Sequence, residues 1–84
     1  MASDKNVAIV TGSARGIGES TAVMLAERGF NITVNYASSA DEAKDTVAQC
    51  EAKGAEVLLV QGDIASDADC RCIVDETMAK WSRL

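Results

Sequence analysis

The feature that most constrains the fold is a run of six residues, Asn6 to Thr11 (Asn-Val-Ala-Ile-Val-Thr), that is apolar at its centre and stops at Gly12. It is too short for a helix and has the form of a strand covered on both faces. Directly after it, Thr11-Gly12-Ser13-Ala14-Arg15-Gly16-Ile17-Gly18 places three glycines in one loop. Ile17, Thr21, Ala22 and Leu25 then keep helical spacing on one face, and Gly29 stands where a C-terminal cap belongs. Strand, glycine loop and helix in this order begin a parallel α/β sheet.

The rest of the chain repeats the alternation. Phe30 to Tyr36, with Ile32, Thr33 and Val34 at its centre, is rich in β-branched residues and reads as a second strand. After a turn at Ala37 to Ala40, Ser39 and Glu42 have capping-box spacing ahead of a helical pattern through Ala43, Val47 and Cys50 that ends at Gly54. Glu56 to Gln61 is a third strand, closed by Gly62. Ser66 and Asp69 repeat the cap chemistry with Asp in place of Glu, and Cys70, Ile73, Val74, Met78 and Trp81 mark the apolar stripe of a third helix. Short connections imply right-handed crossovers, so the fold class is α/β: a Rossmann-type parallel sheet, a β-α-β-α-β-α half of a doubly wound fold with strand order 3-2-1. That order leaves one edge of the first strand unpaired, although its sequence carries none of the usual edge protection, and something is expected to pair there.

The glycine loop lies where a parallel α/β sheet binds phosphates. N–H groups at a helix start have no internal partner, and the helix dipole favours an anion. Gly12 would permit the tight turn, Gly16 a close backbone approach to a pyrophosphate, and Gly18 close helix packing, by analogy with the glycine roles of dinucleotide folds. A purely structural role for the three glycines is the competing reading. A Walker A loop fails, because Glu19-Ser20 stands where Lys-Ser or Lys-Thr would be needed.

Composition narrows the partners. A net charge of −5 with scattered Lys and Arg argues against nucleic acid or an anionic membrane surface, so a phosphate ligand must be held locally. Met1 to Lys5 is polar, the following apolar run is too short for a secretory signal, and no stretch approaches membrane-spanning length, which predicts a cytoplasmic protein. Cys50, Cys70 and Cys72 are odd in number and lie in helical patterns, and with no His in the chain a closed zinc site lacks ligands. They are read as reduced thiols, and no metal is expected.

The Gly-x-x-x-Gly-x-Gly spacing with a leading Thr and a Gly-Ile-Gly ending resembles the short-chain dehydrogenase/reductase family. The resemblance covers the whole chain and is nearest to bacterial 3-oxoacyl-carrier-protein reductases and glucose dehydrogenases. It implies cofactor contacts from Gly12, Ser13, Arg15, Gly16, Ile17 and Gly18, and ribose and adenine contacts from Asn35, Tyr36, Ala37 and Ser38. It further implies that Asp63 accepts from the adenine amino group while Ile64 packs on the ring; shaping a turn is the other role open to Asp63. No carboxylate stands at Asn35 to Ser38 to bind a ribose 2′-hydroxyl, and Arg15 lies where related NADP enzymes carry a basic residue. NADP is therefore expected, with NAD as the alternative and a solvated Arg15 as the competing role.

The family's catalytic Tyr-x-x-x-Lys does not fit the single Tyr36, four residues before Ala40, so no catalytic residue is assigned; Tyr36 would pack beside the adenosine or simply be buried. The family's Asn-Asn-Ala-Gly strand would begin just after Leu84, so residues 1–84 are expected to be the N-terminal part of a single NAD(P)-binding domain. The resemblance implies hydride transfer with a small carbonyl or alcohol substrate, in a complete enzyme that is a homo-oligomer. A free-standing nucleotide-binding or interaction module, and a product of truncation with no role of its own, are the competing readings.

Overall fold

The computed structural model describes residues 5–12 and 16–82. Strand β1 (Val7–Val10), helix α1 (Gly16–Glu27), strand β2 (Asn31–Tyr36), helix α2 (Ala40–Ala52), strand β3 (Val57–Gln61) and helix α3 (Asp67–Trp81) follow in turn. All strands are parallel with β2 in the middle, the predicted 3-2-1 order. Val7 pairs with Asn31 and Val10 with Val34, while Ile32 pairs with Val57 and Tyr36 with Gln61. The strands start one residue later than expected. Asn6 and Glu56 nevertheless serve the ladder, because their carbonyls accept from the N–H groups of Asn31 (2.8 Å) and Ile32 (3.0 Å).

The centre of the sheet explains why β2 is buried along almost its whole length. Its even positions, Ile32 and Val34, are fully buried and pack with Ala22 and Ala26 of α1 and Ala43 and Cys50 of α2. Small alanines let these helices lie close on the sheet, while Val57 and Leu59 of β3 and Ala8 and Val10 of β1 complete the layer. The odd positions are Asn31, Thr33 and Asn35, equally buried but polar, and strand alternation puts them on the opposite face. Thr33 meets Thr77 of α3 there, with the hydroxyl oxygens 2.7 Å apart. Thr77 donates its own hydroxyl proton to the Ile73 carbonyl at 2.8 Å, so Thr33 is the donor within the pair.

Three expectations about the helices need correction. Ile17 is 86% exposed and Thr21 is exposed, while Ala22 and Ala26 are the residues that α1 buries. Ile17 sits in the first turn of α1, about one and two turns before the buried alanines. On α3 the inward face is Ile73, Thr77 and Trp81, one residue per turn, and Val74 and Met78 of the expected stripe are exposed. A threonine that bonds back to its own helix can occupy an inward position that counting apolar residues passes over. Ser39 caps α2 without a side-chain hydrogen bond; the Ala43 N–H reaches the Ser39 carbonyl at 2.9 Å instead. The cap at Ser66 does form, its hydroxyl accepting from the Asp69 N–H at 3.3 Å. No reciprocal box closes there, because the Ser66 N–H donates to the Asp63 carbonyl at 2.9 Å, while the Asp69 carboxylate accepts from the Asp63 N–H at 2.8 Å.

Candidate functional site

The candidate site is the rim formed where the carboxyl ends of the three strands release the chain. At the end of β1, Gly12 has φ +62, and Gly16 at the start of α1 has φ +66. Any other residue would be strained in that left-handed region. A Cβ at either position would meet no atom of the described residues within 4 Å, so it is the backbone conformation that requires glycine. Glycines in this conformation carry no side chain to hinder a ligand that approaches the loop's backbone. Gly18 is half-buried in the first turn of α1. Ser13 and Arg15, expected to contact the cofactor, lie outside the described residues.

The N–H groups of a helix's first turn have no partner within the helix, and they and its dipole favour an anion, yet Glu19 also stands in the first turn of α1. Its carboxylate accepts from the Gln49 side chain at 2.7 Å, which ties it to α2. At the end of β2, Tyr36 is half-buried and Ala37 and Ser38 are exposed. The Ala37 carbonyl accepts from the Gln61 side-chain amide at 3.1 Å, and the Gly62 N–H donates to the Tyr36 carbonyl at 2.9 Å. These bonds hold the turn after β2 against the end of β3.

Beyond β3, Asp63 and Ile64 are both exposed, Ile64 to 57%. Asp63 shapes a turn: its Oδ1 accepts from the Ala65 N–H at 2.9 Å and its carbonyl from the Ser66 N–H at 2.9 Å. An ionised carboxylate has further acceptor positions, so the turn does not exhaust it. Asn35 differs from the expectation of a direct ribose or adenine contact. Its side chain is buried beneath the rim, where Oδ1 accepts from the Gly12 N–H at 3.3 Å and Nδ2 reaches the carbonyls of Val60 (3.3 Å) and Gly62 (3.2 Å). The sequence signal for this role was an asparagine inside a buried strand, since a buried amide must find partners.

Cys50, Cys70 and Cys72 are free thiols, and no cluster of metal-ligating side chains occurs among the described residues. Burial pushes the Cys50 thiol up, helped by the negative charges of Glu19 and Glu51. Cys72 is also held up, chiefly by its hydrogen bond to Glu76. Neither is an activated nucleophile. Among the described residues, no helix is long and apolar enough to cross a membrane.

An open three-stranded parallel sheet with a positive-φ glycine turn leading from β1 into α1 defines a Rossmann-type fold. The family model for short chain dehydrogenases matches residues 6–84. A 3-oxoacyl-(acyl-carrier-protein) reductase from Staphylococcus epidermidis is 40% identical over 74 residues, covering 88% of this chain and 30% of the relative. The corresponding reductase of Synechocystis is 41% identical over 78 residues, covering 93% of this chain and 32% of the relative. The solved structure of acetoin dehydrogenase from Enterobacter cloacae superposes with a TM-score of 0.86 at 39% identity, covering 94% of this chain and 32% of the other. A Burkholderia xenovorans structure described as a short-chain dehydrogenase/reductase gives 0.95 at 37% identity, covering 98% and 34%. The chain belongs to the short-chain dehydrogenase/reductase family of oxidoreductases. It spans about three-tenths of the length of the curated relatives it matches.

Proposed function

We propose that these residues form the dinucleotide-holding part of an NADP-dependent oxidoreductase. The observation that carries this reading is the pair of positive-φ glycines, Gly12 and Gly16, at the carboxyl end of β1 and the start of α1. Gly12, Ser13, Arg15, Gly16, Ile17 and Gly18 are assigned to the pyrophosphate side. Tyr36, Ala37 and Ser38 flank the ribose, Asp63 accepts from the adenine amino group, and exposed Ile64 packs on the ring. The acid-free turn after β2 and the guanidinium of Arg15 favour a ribose 2′-phosphate over a 2′-hydroxyl, hence NADP over NAD.

When bound, the nicotinamide supplies or accepts a hydride, and the partner is a small carbonyl or alcohol compound. The chain's own contribution is to bind and orient: α1 presents N–H groups to the pyrophosphate, and Gln49 holds Glu19 by a hydrogen bond. No catalytic acid or base is assigned to residues 1–84, which are read as the first part of one NAD(P)-binding domain in a cytoplasmic homo-oligomer. A 3-oxoacyl thioester is the leading substrate class, because the matched relatives from Staphylococcus epidermidis and Synechocystis are named as reductases of that type.

Titration with NADPH and NADH, followed by nicotinamide fluorescence, tests the cofactor. Arg15→Ala is expected to weaken NADPH by about tenfold or more, the scale of one charge-assisted hydrogen bond, and NADH much less. Equal losses for the two cofactors would refute the NADP assignment. Failure of the chain to bind either would remove the dinucleotide reading altogether.

A further inference from the structure

Two backbone groups at the rim lie past the ends of the strands. The Gly12 N–H follows β1, and the Gly62 carbonyl follows β3. Each needs a partner that the regular ladder does not extend far enough to give. Asn35, between them on β2, supplies both: one acceptor toward Gly12 and donors toward Val60 and Gly62. The amide acts as an extra peptide unit set crosswise to the strands. It joins segments 23 and 27 residues away from it in sequence. Because the Gly12 N–H is committed to Asn35, the donors left for an anion are those later in the loop and helix start.

We propose that Asn35 is a positioning residue of the dinucleotide site, fixing the Gly12 turn and the Gly62–Asp63 turn in one relative geometry so that pyrophosphate and adenine subsites are aligned together. This rests on the dinucleotide reading given above. A ligand that spans both subsites gains from their alignment, whereas one that occupies the adenosine side alone does not. Asn35→Leu keeps the approximate size and adds no charge, but removes both the acceptor for Gly12 and the donors toward Val60 and Gly62.

The test compares the dinucleotide with a fragment that has no 5′-phosphate. For Asn35→Leu, NADPH affinity should fall by about tenfold or more, the scale of the lost hydrogen bonds, while adenosine 2′-phosphate falls by less than about threefold. Equal losses for both ligands would make Asn35 a general structural residue and overturn the proposal, as would unchanged NADPH affinity. If the unsubstituted chain binds neither NADPH nor NADH, the dinucleotide reading fails first, which separates the two failures. Should the variant not fold, the unsubstituted chain decides by amide exchange. NADPH should slow exchange at Gly12 several-fold while adenosine 2′-phosphate leaves it unchanged, and equal slowing by the two ligands, or none by NADPH, would overturn the proposal.

Discussion

On the side of the sheet that faces α1 and α2, Ile32 and Val34 are sealed by alanines, valines and a cysteine. On the other side, Asn31, Thr33 and Asn35 are just as inaccessible but make hydrogen bonds to a hydroxyl, carbonyls and N–H groups, although Asn31 Nδ2 has no partner among the described residues. Both sets belong to one six-residue strand. The apolar side gains stability from area removed from water, which is non-directional. The polar side gains little net energy per bond but fixes geometry, since a hydrogen bond tolerates only a narrow range of distance and angle. It is therefore fitting that Asn35, on the polar side, is the residue that reaches the rim.

If this contrast is right, the largest effect should come from the apolar side. Ile32→Ala removes a fully buried side chain between the sheet and the helices, and should cost about 2–5 kcal/mol. Urea unfolding followed by circular dichroism would measure it. A loss well below 1 kcal/mol would mean that this layer is not the main source of stability.

The polar side should give smaller and asymmetric losses. Thr77→Val strands the buried Thr33 hydroxyl proton and should cost about 1–3 kcal/mol. Thr33→Val leaves Thr77 still donating to the Ile73 carbonyl and should cost less. The double variant, with both hydroxyls replaced, should be more stable than Thr77→Val alone. A double-mutant cycle by urea denaturation would detect the coupling, and purely additive costs would contradict the hydroxyl chain.

The smallest effect is a pH dependence on the apolar side. Burial raises the folded-state Cys50 pKa above its unfolded value, so the thiol's contribution is fully present below about pH 8.5, the ordinary thiol range. As pH climbs from there through the folded value, the unfolded chain gives up its proton first, and that contribution is lost. The urea midpoint should fall on this limb, and Cys50→Ala should flatten the fall. An equally steep fall in the variant would assign it to other groups.

The order of elements was legible because each strand is an apolar run bounded by glycine or polar residues, and the intervening helices keep their spacing. The glycine loop could be read from spacing alone, since a positive φ at Gly12 and Gly16 is a local requirement. The direction of a helix face was harder to read. Ile17 looks like a core residue in sequence and lies in solvent, while Thr77 looks like a surface residue and is buried. Only the position of each helix over the sheet decides this. The Ser39 cap failed for a similar reason, because its spacing specifies the residues but not the backbone angles that bring a hydroxyl to an N–H.

For the site, the sequence by itself determined which residues stand at the carboxyl ends of the strands, because strand ends follow from local runs and turns. It also determined the absence of an acid after β2 that bears on the cofactor. Tertiary structure alone decided that Asn35 turns beneath the rim to bind Gly12, Val60 and Gly62, residues 23, 25 and 27 positions away. A hydrogen bond of that kind depends on the register of three parallel strands, and pairing register is a property of the assembled sheet.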